Sequence, residues 1–158
     1  MKLILVVLAL AAAPAVAFAP HTDPDLVTCY EFTLSSTTVT WGECATECEA
    51  LDGFFPCIED ETQNDDAFAA FAGSGNAAWI DLHDTTIEGT WVCSSSLQIP
   101  TYFNWDSYGS EPNGGTGENC ANMWGPFPGS FRNPGTWNDW SCGNSLPCIC
   151  KTPTPCDA

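Results

Sequence analysis

All ten cysteines of this chain lie between Cys29 and Cys156, behind an apolar leader, and that arrangement restricts its folds more than any other feature. An even, dense set of cysteines in an exported chain reads as a disulfide framework, because the export route is oxidising. The Cys148-x-Cys150 and Cys44-x-x-x-Cys48 spacings resemble those of zinc ligands, but only two histidines accompany them. The leader is legible by its parts. Lys2 supplies the positive start, Leu3 to Ala13 is an apolar run too short to span a bilayer, and Ala15-Val16-Ala17 fits an A-x-A cleavage site. Ala17-Phe18-Ala19 also fits, but cutting there would leave Pro20 first, so we expect cleavage after Ala17. The expected layout is a signal peptide over residues 1–17, an N-terminal segment over 18–28, one domain over 29–151 and a tail over 152–158. The mature protein is expected to be secreted and extracellular.

The charge balance narrows the partners. The formal net charge is −17, and once Lys2 leaves with the leader, Arg132 and Lys151 are the only strong cations. Such a chain is repelled by nucleic acid and by anionic membrane. It suits a hard cation, which prefers carboxylate and amide oxygens. Glu47, Glu49, Asp65 and Asp66 read instead as solvated surface acids.

Two helices are predicted in the first half of the mature chain. Thr40-Trp-Gly-Glu43 has the form of a capping box. After it, Trp41, Ala45 and Cys48, and separately Cys44, Cys48 and Leu51, recur at helical spacing until Gly53 stops the element. The second helix is expected from about Glu61 to Phe71, with Phe68, Phe71 and Ala72 on one face and Gly73 at its end. Short strands are expected at Trp79–Leu82, Gly89–Cys93, Ala121–Trp124 and Pro147–Lys151. Between Asn104 and Pro134 the chain is rich in Gly, Pro and Asn; its aromatic residues and cysteines point to an ordered, stapled loop.

The chemistry concentrates in and just after that stretch. Glu111-Pro112-Asn113 is followed by Glu118-Asn119-Cys120 and then by Trp137-Asn138-Asp139 and Cys142. Glu111, Asn113, Glu118, Asn138 and Asp139 supply five oxygen-bearing side chains with three negative charges. Calcium takes about six to eight oxygen ligands, so five side chains can hold it and leave places open for a ligand. A cis bond before Pro112 would turn its neighbours toward one point. Each of the five residues, taken alone, reads as a turn or cap residue; the ordered set bracketed by cysteines carries the signal.

From about Cys29 to Lys151 the chain resembles the C-type lectin family. Trp79-Ile-Asp-Leu82 resembles the family's WIGL strand, with Asp81 in place of its glycine. Glu111-Pro112-Asn113 matches the EPN motif of members that bind mannose-type sugars, Trp137-Asn138-Asp139 matches WND, and Cys148-Ile-Cys150-Lys151 resembles the closing strand. The resemblance implies an α+β fold of two helices, a small twisted antiparallel sheet and a long calcium-binding loop region. It implies calcium at Glu111, Asn113, Glu118, Asn138 and Asp139, which would also bind the carbohydrate. An auxiliary calcium site is only partly present: Asp84 and Glu88 match its acids, Asn119 stands where an aspartate is common, and Gly114 replaces a side-chain ligand. The resemblance also implies Cys48–Cys150 and Cys120–Cys142 bridges. For the remaining six cysteines we expect Cys44–Cys57, Cys93–Cys148 and Cys29–Cys156, an arrangement that spacing alone does not settle.

A binding module follows from these implications, with a glycan as partner, in the class of mannose, fucose and N-acetylglucosamine. Single shallow polar sites bind weakly, and avidity in a homo-oligomer would compensate, although no heptads or collagen-like repeat precede the domain. The alternative is an interaction or structural protein on the same fold, binding a protein, mineral or ice surface, with Trp124 or Trp140 contributing to an apolar patch. Catalysis is not expected. Calcium ligation needs Glu111 and Glu118 both ionised, which removes the acid of a glycosidase pair. His83 reads as structural, His21 lies beside the leader, and Gly114-Gly-Thr-Gly117 lacks the helix and basic residue of a phosphate cradle.

Overall fold

The computed structural model describes residues 28–71, 75–126 and 132–156. The signal peptide, His21, Ala72 and Gly73 lie outside them. Five strands and two helices follow in the order β1 (Thr28–Leu34), α1 (Cys44–Glu49), α2 (Glu61–Phe71), β2 (Ala77–His83), β3 (Cys120–Trp124), β4 (Trp137–Trp140) and β5 (Ile149–Pro155). The fold is α+β, as expected, but the strands form two sheets rather than one. Strands β1 and β5 pair antiparallel, and β2, β3 and β4 form a three-stranded antiparallel sheet in that order.

The helices follow their local signals. The Glu43 carboxylate accepts hydrogen bonds from the Thr40 backbone N–H at 2.9 Å and from its hydroxyl at 2.6 Å. These bonds, the hydroxyl foremost, hold Glu43 below the usual carboxylate range. A 3-10 turn over Trp41–Glu43 leads into α1, which ends when the Gly53 N–H returns to the Cys48 carbonyl. Helix α2 starts where the Asp60 carboxylate caps the Gln63 N–H at 2.8 Å, and it buries Asn64, Ala67 and Phe71. Asn64 ties this helix to the sheet: its oxygen accepts from the Trp137 indole N–H at 2.8 Å and its amide donates to the Gly135 carbonyl at 3.2 Å.

Strand β2 is buried on both faces and separates two cores. Ala78, Ile80 and Leu82 join Ala121, Met123, Trp137 and Phe71 on one side. Trp79 lies on the other with Phe55 and five cysteines, Cys44, Cys48, Cys120, Cys148 and Cys150.

Gly89–Cys93 is not a strand. Only His83 and Val92 exchange backbone bonds. The chain then turns, because the Cys93 N–H goes to the Gln98 carbonyl and the Ser94 and Ser95 N–H groups go to the buried Asp81 carboxylate at 2.8 and 3.0 Å. Strands β1 and β4 were not expected. Strand β5 starts at Ile149 and runs on to Pro155, through residues where the sequence suggests a tail.

All ten cysteines are paired. Cys48–Cys150, Cys120–Cys142 and Cys29–Cys156 form as expected. Cys44 pairs with Cys148, not Cys57, and Cys93 pairs with Cys57, not Cys148. The reason is periodicity. Cys44 and Cys48 sit one turn apart on α1, about 6.0 Å along its axis, while two strand residues separate Cys148 from Cys150 by about 6.6 Å. The two spacings match, so helix and strand are joined by two adjacent rungs with Cα separations of 5.6 and 5.3 Å.

Candidate functional site

The site is built on the end of β4 and on the loop that precedes β3. Asn138 and Asp139 belong to β4, are both nearly buried, and are placed by antiparallel pairing opposite Asn122 and Ala121. The Asp139 carboxylate then reaches the loop. It accepts the Asn113 backbone N–H at 3.0 Å and the Gly114 backbone N–H at 2.7 Å, fastening the segment after Pro112 to the sheet. The Glu111–Pro112 bond is cis. From the other side, the Glu111 N–H donates to the Asp106 carbonyl at 3.0 Å. The Asn113 amide donates to the Gly109 carbonyl at 3.1 Å, and the Asn138 amide donates to the Asp139 carbonyl.

Two glycines lie where acidic side chains of the site approach the backbone closely. A Cβ on Gly109 would collide with the Glu111 carboxylate, and one on Gly114 would collide with the Glu118 side chain. The short 3-10 turn over Gly115–Gly117 carries the chain back so that Glu118 lies against Gly114.

Glu111, Asn113, Glu118 and Asn138 border one open groove of about 910 Å³, while Asp139 lies behind them and holds their backbone. The electrostatics there are unfavourable to the chain alone. Burial pushes the Glu111 carboxyl up to about 7, helped by its hydrogen bond with Asp139 and by the charges of Asp139, Glu118 and Asp106. Glu118 is raised by burial and then by Asp139. The Glu111 Oε2 atom is buried with no hydrogen-bond partner. Among the described residues, no three Asp, Glu, His or Cys side chains close around a point that would hold a metal ion by themselves. The oxygen donors are therefore gathered on one surface rather than closed into a cage.

The second acidic group sits beside the first. The Asp84 Oδ2 atom accepts the Gly89 N–H at 2.8 Å, and the Asp84 N–H donates to the Asn119 carbonyl at 3.1 Å. Asp84 Oδ1 and Asn119 Oδ1 are buried without partners. Glu88 is exposed, and its carboxyl is raised by desolvation, then by Asp84 and Asp139.

Sequence reasoning missed Asp106. It is fully buried, its Oδ1 accepts the Tyr108 N–H at 3.1 Å and the Asn133 amide at 3.0 Å, and its carbonyl holds Glu111. Nothing in the Gly- and Asn-rich stretch marks that acid out from its neighbours. His83, at the end of β2, packs at a tilt against Trp41, ring centroids 4.9 Å apart, and contacts the Thr85 hydroxyl at 2.8 Å.

Comparison with known proteins follows the same outline. The sequence profile of the lectin C-type domain matches residues 37–152. Tetranectin from Homo sapiens is 33% identical over 118 residues, 72% of this chain and 55% of that protein. The chain thus spans about half the length of that relative. The carbohydrate-recognition domain of cow CD23, solved in the presence of a GlcNAc2Man3 oligosaccharide, superposes with a TM-score of 0.60 at 30% identity, covering 82% of this chain and 90% of that one. Herring type II antifreeze protein shares the fold at 16% identity, with a TM-score of 0.63 over 84% of this chain and 96% of that one.

Proposed function

The chain belongs to the lectin C-type domain family, and from that premise we propose that it is an exported, calcium-dependent carbohydrate-binding protein of the mannose, fucose and N-acetylglucosamine class. The observation that carries this reading is the buried, unpartnered Glu111 Oε2 in a cluster of carboxylates and amides that borders an open groove. A buried acceptor without a donor costs about 1–3 kcal/mol, and burial, with the neighbouring acids adding to it, has already pushed Glu111 to about 7. A divalent cation removes both costs at once. The donor set is all oxygen, which suits calcium rather than zinc.

Calcium bound there would supply open coordination places for two neighbouring sugar hydroxyls. The chain's own groups do the rest. Glu111 accepts a hydrogen bond from one hydroxyl, and Asn113, whose amide spends one N–H on Gly109, has a second to donate. Glu118 and Asn138 repeat that acceptor and donor pair. Asp139 positions the Asn113–Gly114 backbone through one bond to each residue, which supports an order of donors and acceptors set before sugar arrives. Asp84, Glu88 and Asn119 are proposed as ligands of a second, auxiliary ion, supported by the two buried orphan oxygens. Export is supported by the five disulfides; no described helix is long and apolar enough to cross a membrane.

A second reading is favoured by a different observation. Ile87, Leu97, Ile99 and Tyr108 are large apolar side chains each more than 60% exposed. An interaction protein that docks a protein, mineral or ice surface would use them. A glycan array probed with calcium and with chelator separates the readings. Calcium-dependent binding to mannose-type glycans is expected; a blank array from a protein that calcium still stabilises against heat would favour the second.

A further inference from the structure

Of the nine asparagines in the chain, Asn113 alone is followed by glycine. We propose that Asn113 is a site of spontaneous deamidation, restrained by the fold and restrained further by an ion at the neighbouring donors. The reaction needs no partner but water; its consequence for ligand binding rests on the carbohydrate reading.

The step balances within the chain and the solvent. The Gly114 backbone nitrogen attacks Cγ of Asn113, losing its proton as the new N–C bond closes a five-membered succinimide. The bond from Cγ to the side-chain nitrogen breaks, and that nitrogen departs with the proton as ammonia. Water then opens the ring, leaving aspartate when it adds at one carbonyl and isoaspartate when it adds at the other. Nothing is oxidised or reduced. Glycine favours the closure because no Cβ shields the nitrogen or limits the backbone rotation that its approach requires.

The packing of the site works against any shielding residue at 114. A Cβ there would collide with the Cβ of Glu118 as well as with its carboxylate. Asn113 itself is exposed, so water reaches the ring once it forms. Three hydrogen bonds hold the reaction back. The Asp139 carboxylate accepts the Asn113 N–H at 3.0 Å and the Gly114 N–H at 2.7 Å, one on each side of the backbone that must rotate. The side-chain amide is tied to the Gly109 carbonyl at 3.1 Å. The nitrogen that must attack and the nitrogen that must leave are thus both engaged. Asn144, half-buried and followed by Ser145, is an internal control, because the serine side chain crowds the same approach.

Conversion removes one role of the residue and keeps another. Aspartate still offers an oxygen to the ion, but it has no N–H to donate to a sugar hydroxyl. The aged protein would hold calcium and release mannose-type sugar.

The test is peptide mapping by mass spectrometry after ageing at mildly alkaline pH in three states: folded with calcium, folded in chelator, and reduced and unfolded in urea. Exchange of the amide for a carboxyl raises the mass of the Asn113 peptide, and chromatography separates aspartate from isoaspartate. The unfolded chain should convert fastest, the chelated protein more slowly and the calcium-loaded protein slowest. At calcium about ten times its Kd roughly a tenth of the molecules are free, so loading should slow the reaction about tenfold. Asn144 should stay intact while Asn113 converts. An Asn113 still wholly intact in chelator when the unfolded chain has fully converted overturns the site, as does conversion no faster than at Asn144. Equal rates in the folded and unfolded chain overturn the restraint by Asp139 and Gly109. Conversion indifferent to calcium overturns the restraint by the ion, and with it Asn113 as a ligand, but not the reaction. Asn113→Asp, made directly, should keep the rise in melting temperature with calcium and lose at least about tenfold in affinity for methyl α-mannoside, about 1.4 kcal/mol. Undiminished affinity in that variant overturns the consequence for binding; a natural protein that binds no glycan in calcium overturns the carbohydrate reading itself.

Discussion

Replacing Glu111 with glutamine should make the calcium-free protein more stable at neutral pH, although it removes a proposed ligand. In the folded chain the Glu111 carboxyl is raised from 4.5 to about 7, chiefly by burial. The fold therefore holds that proton more tightly than the unfolded chain does. The resulting stability is complete below pH 4.5 and is lost as pH rises through about 7. At about 1.36 kcal/mol per unit, the ceiling on this loss is about 3.4 kcal/mol. Part of the side chain meets water, and screening reduces the figure to about 1–2 kcal/mol. For a domain of this size that is a melting-point difference of roughly 3–6 °C. Glutamine cannot ionise, and it keeps an N–H donor for Asp139. The assay is thermal unfolding of the natural protein and Glu111→Gln in chelator, from pH 4 to 8.5. The two should coincide near pH 4 and separate between pH 5 and 7, with the variant higher above. Saturating calcium should reverse the order at pH 8, because only the natural protein brings the full charge to the ion. Parallel curves in chelator, or a less stable variant at pH 8 without calcium, would refute the reasoning.

Three further outcomes are expected. Asp81→Ala removes the acceptor of the Ser94 and Ser95 N–H groups and should cost about 2–4 kcal/mol, read from denaturant unfolding; an unchanged midpoint would show that the turn does not depend on it. Non-reducing peptide mapping should recover Cys44 linked to Cys148 and Cys57 linked to Cys93, and a Cys44–Cys57 peptide would contradict the helix-to-strand rungs. The double replacement Glu111→Gln with Asn113→Asp swaps acceptor and donor sides at constant charge, so calcium should still bind while competition shifts from mannose toward galactose; galactose already displacing ligand better from the natural protein would refute the assigned sugar class.

Elements with strong local signals were legible in the sequence. Helix α2 occupies the residues its periodicity marks, and Thr40 and Glu43 meet as a capping pair. Strand β4 was missed because Trp137-Asn138-Asp139-Trp140 has no apolar alternation: the sheet is completed by polar side chains that serve the site. Strand β1 was missed because its partner lies at the far end of the chain, where Pro153 and Pro155 argue against a strand. Two expected pairs, Cys44–Cys57 and Cys93–Cys148, went astray because spacing in sequence does not reveal that α1 and the chain at Cys148 and Cys150 run side by side. In the site, the side chains were legible by type and order. What was not legible was Asp106, and the division of labour by which Asp139 fastens backbone while Glu111 is left exposed to its neighbours' charge.

The Cys29–Cys156 bridge joins the outermost pairs of the β1–β5 ladder, with its Cα atoms 5.0 Å apart. Seen mechanically, it is a buckle. Tension applied through chain outside the two cysteines passes from one sulfur to the other and never reaches the hydrogen bonds of either sheet. A load on a captured glycan would travel through β4 and the loop at Glu111, but a load along the polypeptide would bypass them. With the buckle intact, pulling on the two ends should yield no extension from the domain. Once it is reduced, the same pull should first unzip β1 from β5, and the next obstacle should be the paired rungs between α1 and β5.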